Sequence, residues 1–186
     1  MNLSTYLRSQ SIETDSITDW LNNSTKTKVY PKGHTLVTEG EHSYRVFYVE
    51  TGLIRSYYMK DDKDVTEDFF PEQSVTATIE SALFGRPSRY SIEVLETSTI
   101  TTCNFNDFAR LSSQNTEINQ LEKLVLYNVV KKLSDNNYYL KFHSAKERYE
   151  RMIKEYPNIL LRAPLGHVAS YLGITQQTLS VIRAQL

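Results

Sequence analysis

The spacing of apolar residues divides the chain into distinct textures. Between Lys26 and Phe105, short runs rich in Val, Ile, Thr, Tyr and Phe are broken by Gly, Asp or Pro about every ten residues, as in the strands of a sandwich or barrel. Gly33, Gly40, Gly52, the Asp61-Asp62-Lys63 cluster, Pro71, Gly85 and Pro87 supply the punctuation. Tyr44 to Met59 reads as two strands joined around Thr51-Gly52 and paired with each other. Ahead of this region, the first thirty residues read as short helical turns. Asp15 or Ser16 is placed there to cap a segment whose apolar positions are Ile17, Trp20 and Leu21.

After Asn106 the period becomes helical. No Gly or Pro interrupts Thr116 to Phe142, and Ile118, Leu121, Leu124, Val125, Val129, Val130 and Leu133 recur at three- and four-residue steps. One helix of roughly 27 residues, about 40 Å long, is predicted. Its apolar positions spread over more than one stripe, enough to face both its own β domain and a second copy of the chain. Ile118, Leu121, Leu124 and Val125 are the expected pairing positions, with ordinary core packing as the alternative. A further amphipathic helix, Ala145 to Tyr156, ends before Pro157.

The run LGHVASYLGITQQTLSVIRAQL, Leu165 to Leu186, fits two short helices crossing at a steep angle. Ala169 is the small residue at their contact and Gly173 the turn glycine. Val168 and Leu172 point inward from the first helix, Ile174 is buried by the turn, and Leu179 and Ile182 point back from the second. Thr175 is placed to cap that second helix, which leaves Gln176, Gln177, Ser180, Val181 and Ala184 outward, where a recognition helix meets base edges. Thr175, Gln176, Gln177, Ser180, Val181 and Arg183 are therefore the candidate DNA-binding residues. An αα-corner without a nucleic-acid partner is the alternative.

Charge supports the first reading. The net charge of −1 hides an asymmetry: residues 1–140 carry 14 Lys and Arg against 19 Asp and Glu, net −5, whereas residues 141–186 carry 7 against 3, net +4. With 40% hydrophobic and 23% charged residues, the composition is that of a globular protein. No stretch is apolar enough for a membrane span and no signal-peptide pattern opens the chain, so a cytoplasmic location without membrane association is expected. The single Cys103 reads as a small buried hydrophobe and excludes an iron–sulfur cluster held by cysteines. The four histidines, His34, His42, His143 and His167, are scattered, so no metal or other cofactor is expected. Walker, dinucleotide, nucleophile-elbow and zinc-protease motifs are missing, and no enzymatic activity is expected. The pairs Tyr57-Tyr58 and Tyr138-Tyr139 read as half-buried residues rather than as a base-stacking platform.

The order β region, long helix, helix-turn-helix resembles the CRP/FNR transcription regulators. The resemblance runs from Lys26 to Leu186 and rests on VYPKGHTLVTEGEHSYRVFYVETGLIRSYYM, Val29 to Met59, with its Lys32-Gly33 turn, Glu39-Gly40 and Thr51-Gly52-Leu53-Ile54-Arg55, and on the C-terminal motif. The run ERYERMIKEYPNIL and the close of the chain soon after the recognition helix are similar to members from Bacteroidetes-type bacteria. The resemblance implies an α+β fold. Its parts are a β-roll (double-stranded β-helix, jelly-roll-like) of cyclic-nucleotide-binding type over residues 1–115, a dimerisation helix over 116–142 and a helix-turn-helix domain over 143–186. It also implies a homodimer on double-stranded DNA, responsive to a small-molecule effector. The rival reading is a small-molecule-binding roll whose degenerate helical C-terminus mediates protein contacts.

One departure bears on the effector. In the family's cyclic-nucleotide-binding members an arginine pairs with the cyclic phosphate. The matching stretch here, Ser74 to Glu96, has no Gly-Glu pair, and the alignment through Ile92-Glu93-Val94 puts Ser88 in the arginine's place. Glu80, Arg86, Ser88 and Arg89 are the candidate pocket residues, with Arg86 or Arg89 able to meet an anion after a local shift, and cyclic AMP is not the expected effector.

Overall fold

Eight antiparallel strands, rich in β-branched and aromatic residues, form two four-stranded sheets. The structure is a computed structural model and describes residues 1–185. Two short helices, α1 (Leu3–Ser9) and α2 (Thr18–Ser24), flank a 3₁₀ turn at Thr14–Ile17. The strands are β1 (Thr25–Tyr30), β2 (Thr35–Val37), β3 (Arg45–Thr51), β4 (Ile54–Lys60), β5 (Lys63–Phe70), β6 (Val75–Ala77), β7 (Ser91–Val94) and β8 (Ser98–Asn104), with the short helix α3 (Ile79–Phe84) between β6 and β7. One sheet has the order β1-β8-β3-β6 and the other β2-β7-β4-β5. Phe47 and Val49 from the first sheet meet Leu36, Ile54, Ile92 and Val94 from the second in a closed apolar core.

Two expectations change. The consecutive strands β3 and β4 do not pair: β3 lies between β8 and β6, and β4 between β7 and β5. Gly52, at φ +95°, turns the chain from one sheet to the other, and a Cβ there would collide with Ser98. Near the N-terminus, neither Asp15 nor Ser16 caps a helix. Instead α2 starts at Thr18, whose hydroxyl donates to the Thr14 carbonyl at 2.9 Å, because Ile17 is drawn into the core beside Leu7 and Ile12. The Asp61-Asp62 pair does sit in a two-residue hairpin turn between β4 and β5, with φ +50° and +59°.

Five helices and a single turn of a sixth follow: α4 (Phe105–Gln114), α5 (Thr116–Phe142), α6 (Ala145–Glu155), the turn α7 (Ile159–Arg162), α8 (Leu165–Tyr171) and α9 (Gln176–Ala184). The 27-residue α5 is capped by Asn115, and α6 by a reciprocal Ser144–Glu147 box. Leu53, Phe69 and Leu95 of the roll share one apolar cluster with Met152, Tyr156, Ile159, Val168, Leu179 and Ile182. The C-terminal helices therefore pack directly on the roll.

Candidate nucleic-acid interface and roll interior

The turn between α8 and α9 has the geometry its residue types require. Gly173 takes φ +66°, in the left-handed region. Val168, Ala169, Leu172, Leu179 and Ile182 are buried between the two helices, while Ile174 is only half-buried. The Thr175 hydroxyl accepts from the Thr178 N–H at 3.1 Å and caps α9. Leu186, the last residue of the motif, lies outside the described residues.

At about 100° per residue, the buried pair Leu179 and Ile182 leaves Gln177, Ser180, Val181 and Ala184 on the opposite face of α9, all exposed. Gln176 and Arg183 are also exposed but flank that face. Gln176 lies against the start of α8, where a Cβ on Gly166 would come within 2.9 Å of its Nε2.

In the roll, Gly85 closes α3 at φ +61° and the chain runs back into β7. Ser88 is 3% exposed; its N–H donates to the Glu41 carbonyl at 2.8 Å and its hydroxyl to the Tyr90 carbonyl at 2.6 Å. Arg86 is exposed, and Arg89, with 77% of its side chain exposed, pairs with Glu80 at 3.5 Å. The candidate pocket residues thus form a rim, with Ser88 alone buried among them. The other carboxylate oxygen of Glu80 is buried without a hydrogen-bond partner.

Residues 27–115 match the family model of the cyclic nucleotide-binding domain. Over those residues the chain is similar to that family. The cyclic nucleotide-binding domain and the helices behind it together have the fold of CRP/FNR regulators. FixK2 from Bradyrhizobium japonicum superposes with a TM-score of 0.75 at 20% identity, over 87% of this chain and 84% of that one. A CooA mutant from Carboxydothermus hydrogenoformans gives 0.72 at 21% identity, over 100% and 84%. A Eubacterium rectale protein described as a transcriptional regulator of the crp/fnr family gives 0.72 at 13%, over 97% and 87%. No curated protein matches the chain in sequence. No described helix is long and apolar enough to cross a membrane, and no group of three or more His, Cys, Asp or Glu among the described residues is arranged to hold a metal ion.

The expected pairing positions separate into two groups. Ile118 is 2% exposed and packs with Leu7, Ile12 and Ile17, while Leu121 leans on the same cluster. Val125 is half-buried and Leu124 is 50% exposed. The open apolar face of α5 lies further along, at Leu126, Val130, Leu133 and Leu140, which are 45%, 65%, 58% and 59% exposed. Cys103 is half-buried in β8, and burial pushes its thiol up to about 12. Of the tyrosine pairs, Tyr57 and Tyr139 are half-buried, whereas Tyr58 and Tyr138 are exposed.

The sequence reading did not single out Arg55, which sits on β4 within the roll and is 2% exposed. Its guanidinium donates to Glu93 at 2.6 Å, Thr66 at 2.7 Å and Asp64 at 2.7 Å. Its only sequence signal is a charge in the run Leu53-Ile54-Arg55. Across from it, His167 Nε2 stands 3.5 Å from Asp64, and His167 Nδ1 is buried without a partner. Burial, then Arg55 and Lys32, lower the His167 pKa below 6.5, against the pull of the Asp64 and Glu93 carboxylates. A lowered folded pKa means the packed arrangement is favoured fully above 6.5 and loses that contribution as pH falls through the lowered value. An NMR titration of the His167 ring should therefore give a midpoint below 6.5 in the folded protein. Replacement by glutamine should reduce the loss of thermal stability on acidification to pH 5.

Proposed function

We propose that the protein is a homodimeric DNA-binding transcription regulator of CRP/FNR type. Residues 1–115 serve as the sensing or scaffolding roll, 116–142 as the pairing helix and 143–186 as the reader. The observation that carries this reading is α9: a capped helix held by Leu179 and Ile182, whose opposite face is exposed and offers amide and hydroxyl groups. The net charge of +4 on residues 141–186 suits a phosphate backbone. Two copies joined along α5 would present two reading helices to half-sites about 34 Å apart, and a change in the roll that alters their pairing would alter that distance. The direct test is retention on random duplex DNA at low salt, followed by selection from randomised duplexes. Failure to bind duplex at low salt, or binding indifferent to salt, would refute it.

The rim around Ser88 argues against cyclic AMP as effector. A cyclic phosphate bound there would lack a bidentate arginine, a loss of a few kcal/mol and so of about a hundredfold or more in affinity. Calorimetric titration is expected to show no binding at micromolar cyclic AMP. Heat at that concentration would mean that Arg86 or Arg89 swings in to take the phosphate.

A further inference from the structure

The helices that carry the reader are fastened to the roll at several separate points, and these converge on β5 and the residues beside it. In the sheet order β2-β7-β4-β5, this strand is one of the two edges. Such an edge presents unpaired backbone groups that a protein must cover. Here α8 covers it: the Thr66 N–H donates to the Ser170 hydroxyl at 3.1 Å. One turn earlier on α8, His167 faces Asp64, which Arg55 holds from behind. At the far end of the strand, Arg162 of α7 forks onto two carboxylates, Glu72 at 2.7 and 3.0 Å and Glu96 at 2.6 and 3.1 Å. Between these points the Tyr156 hydroxyl donates to Asp68 at 3.1 Å, and Lys132 of α5 reaches the same carboxylate at 2.6 Å.

The other support for the reader lies at its start, where the extended link at His143 and Ser144 joins α5 to α6 and Arg151 of α6 donates to Asn136 of α5 at 3.0 Å. These contacts hold α6 to the end of α5 and do not reach α7 or α8. The fork at Arg162, onto carboxylates just past β5 and β7, and the edge contact at Ser170 on β5 place α7 and α8 against the roll itself.

We propose that the β5 edge is the mount that sets the separation of the two reading helices, which makes Arg162, His167 and Ser170 determinants of half-site spacing through their contacts with the roll. This rests on the homodimeric DNA-binding reading above. The affinity of a rigidly mounted pair depends steeply on spacing, because adding one base pair moves and rotates one half-site away from its reader. A pair freed from the mount follows the displaced half-site and loses that dependence.

The test uses the full chain and a series of duplexes in which the selected half-sites are separated by the preferred spacing or by one base pair more or less. The unmutated protein is expected to prefer its own spacing by about tenfold or more, the worth of one good base contact. Two variants probe the mount independently: His167→Gln with Ser170→Ala, which cuts the edge contact, and Arg162→Lys, which keeps the charge but loses the fork. In both, the spacing preference should fall to about threefold or less, while sedimentation still shows dimers and preference within a single half-site stays unchanged. That pattern separates spacing control from general loss of stability. Retention of the full spacing preference by both variants would overturn the mount. Absence of DNA binding by the unmutated protein would overturn the reading on which it rests, and the mount with it.

Discussion

Aspartate in place of both Leu126 and Leu133 is expected to leave the protein monomeric and to remove its high-affinity binding to paired half-sites. The two residues lie on the open face of α5, at 45% and 58% exposure. With Val130, Asn137 and Leu140 they follow steps of four and three residues, the repeat of a two-helix seam. Within that repeat the leucines occupy one core position and Val130 and Asn137 the other, an arrangement that favours two parallel strands in a single register. Burying a leucine contributes about 1.5–3 kcal/mol, so four leucines across a dimer supply roughly 6–12 kcal/mol, comparable to the free energy of a micromolar to nanomolar pair. Replacing them by carboxylates removes that term and adds repulsion between like charges in an apolar seam. Sedimentation should show monomers while circular dichroism keeps the native helix content, because neither leucine belongs to the intramolecular clusters. Dimers of this variant at micromolar concentration would mean that the copies pair elsewhere. The same substitution at Ile118 would instead report on folding, since that side chain is 2% exposed within its own subunit.

The difference between Ile118 and Leu126 shows what could be read from the sequence and why the rest could not. On the dimeric reading proposed above, α5 carries two apolar stripes with the same three-and-four spacing, the buried or half-buried Ile118, Leu121, Val125 and Val129 beside the exposed Leu126, Val130, Leu133 and Leu140. Periodicity reveals that the helix exists and where it ends, but it cannot assign a stripe to a neighbour that comes from elsewhere in the chain. Local constraints fared better. The Gly173 turn, the Thr175 cap and the small Ala169 contact depend on residues a few positions apart, and the observed geometry has each of them. The strands were legible for the same reason, whereas the separation of β3 from β4 was not. Gly52 signals a turn in either case, and only the long-range pairings with β8 and β7 decide which sheet each strand joins. Arg55 lay beyond sequence reading because its partners come from β5 and β7, brought to one place by the roll.

Replacing Gln177 by alanine is expected to cost about 1–3 kcal/mol on the selected site and to relax the preference at one or two base positions. Its amide stands opposite the buried stripe of α9, in the first turn of the helix, and can donate to and accept from an adenine edge at once. Gln176 is differently placed. It flanks the reading face and rests near Gly166, so it must leave that position to reach a base. Its replacement should cost less than that of Gln177, and the two together should cost more than either alone. Val181, 56% exposed beside them, has no hydrogen bond to offer and suits a thymine methyl group. Arg183 also lies off the reading face, close in angle to Gln176, where a guanidinium meets phosphate rather than a base edge. Arg183→Ala should weaken binding to all sequences alike and lower the slope of log affinity against log salt by about one, leaving the preferred sequence intact. Binding selections on randomised duplexes distinguish the two roles. An unchanged preference after both glutamines are replaced would mean that sequence is read by a surface other than α9.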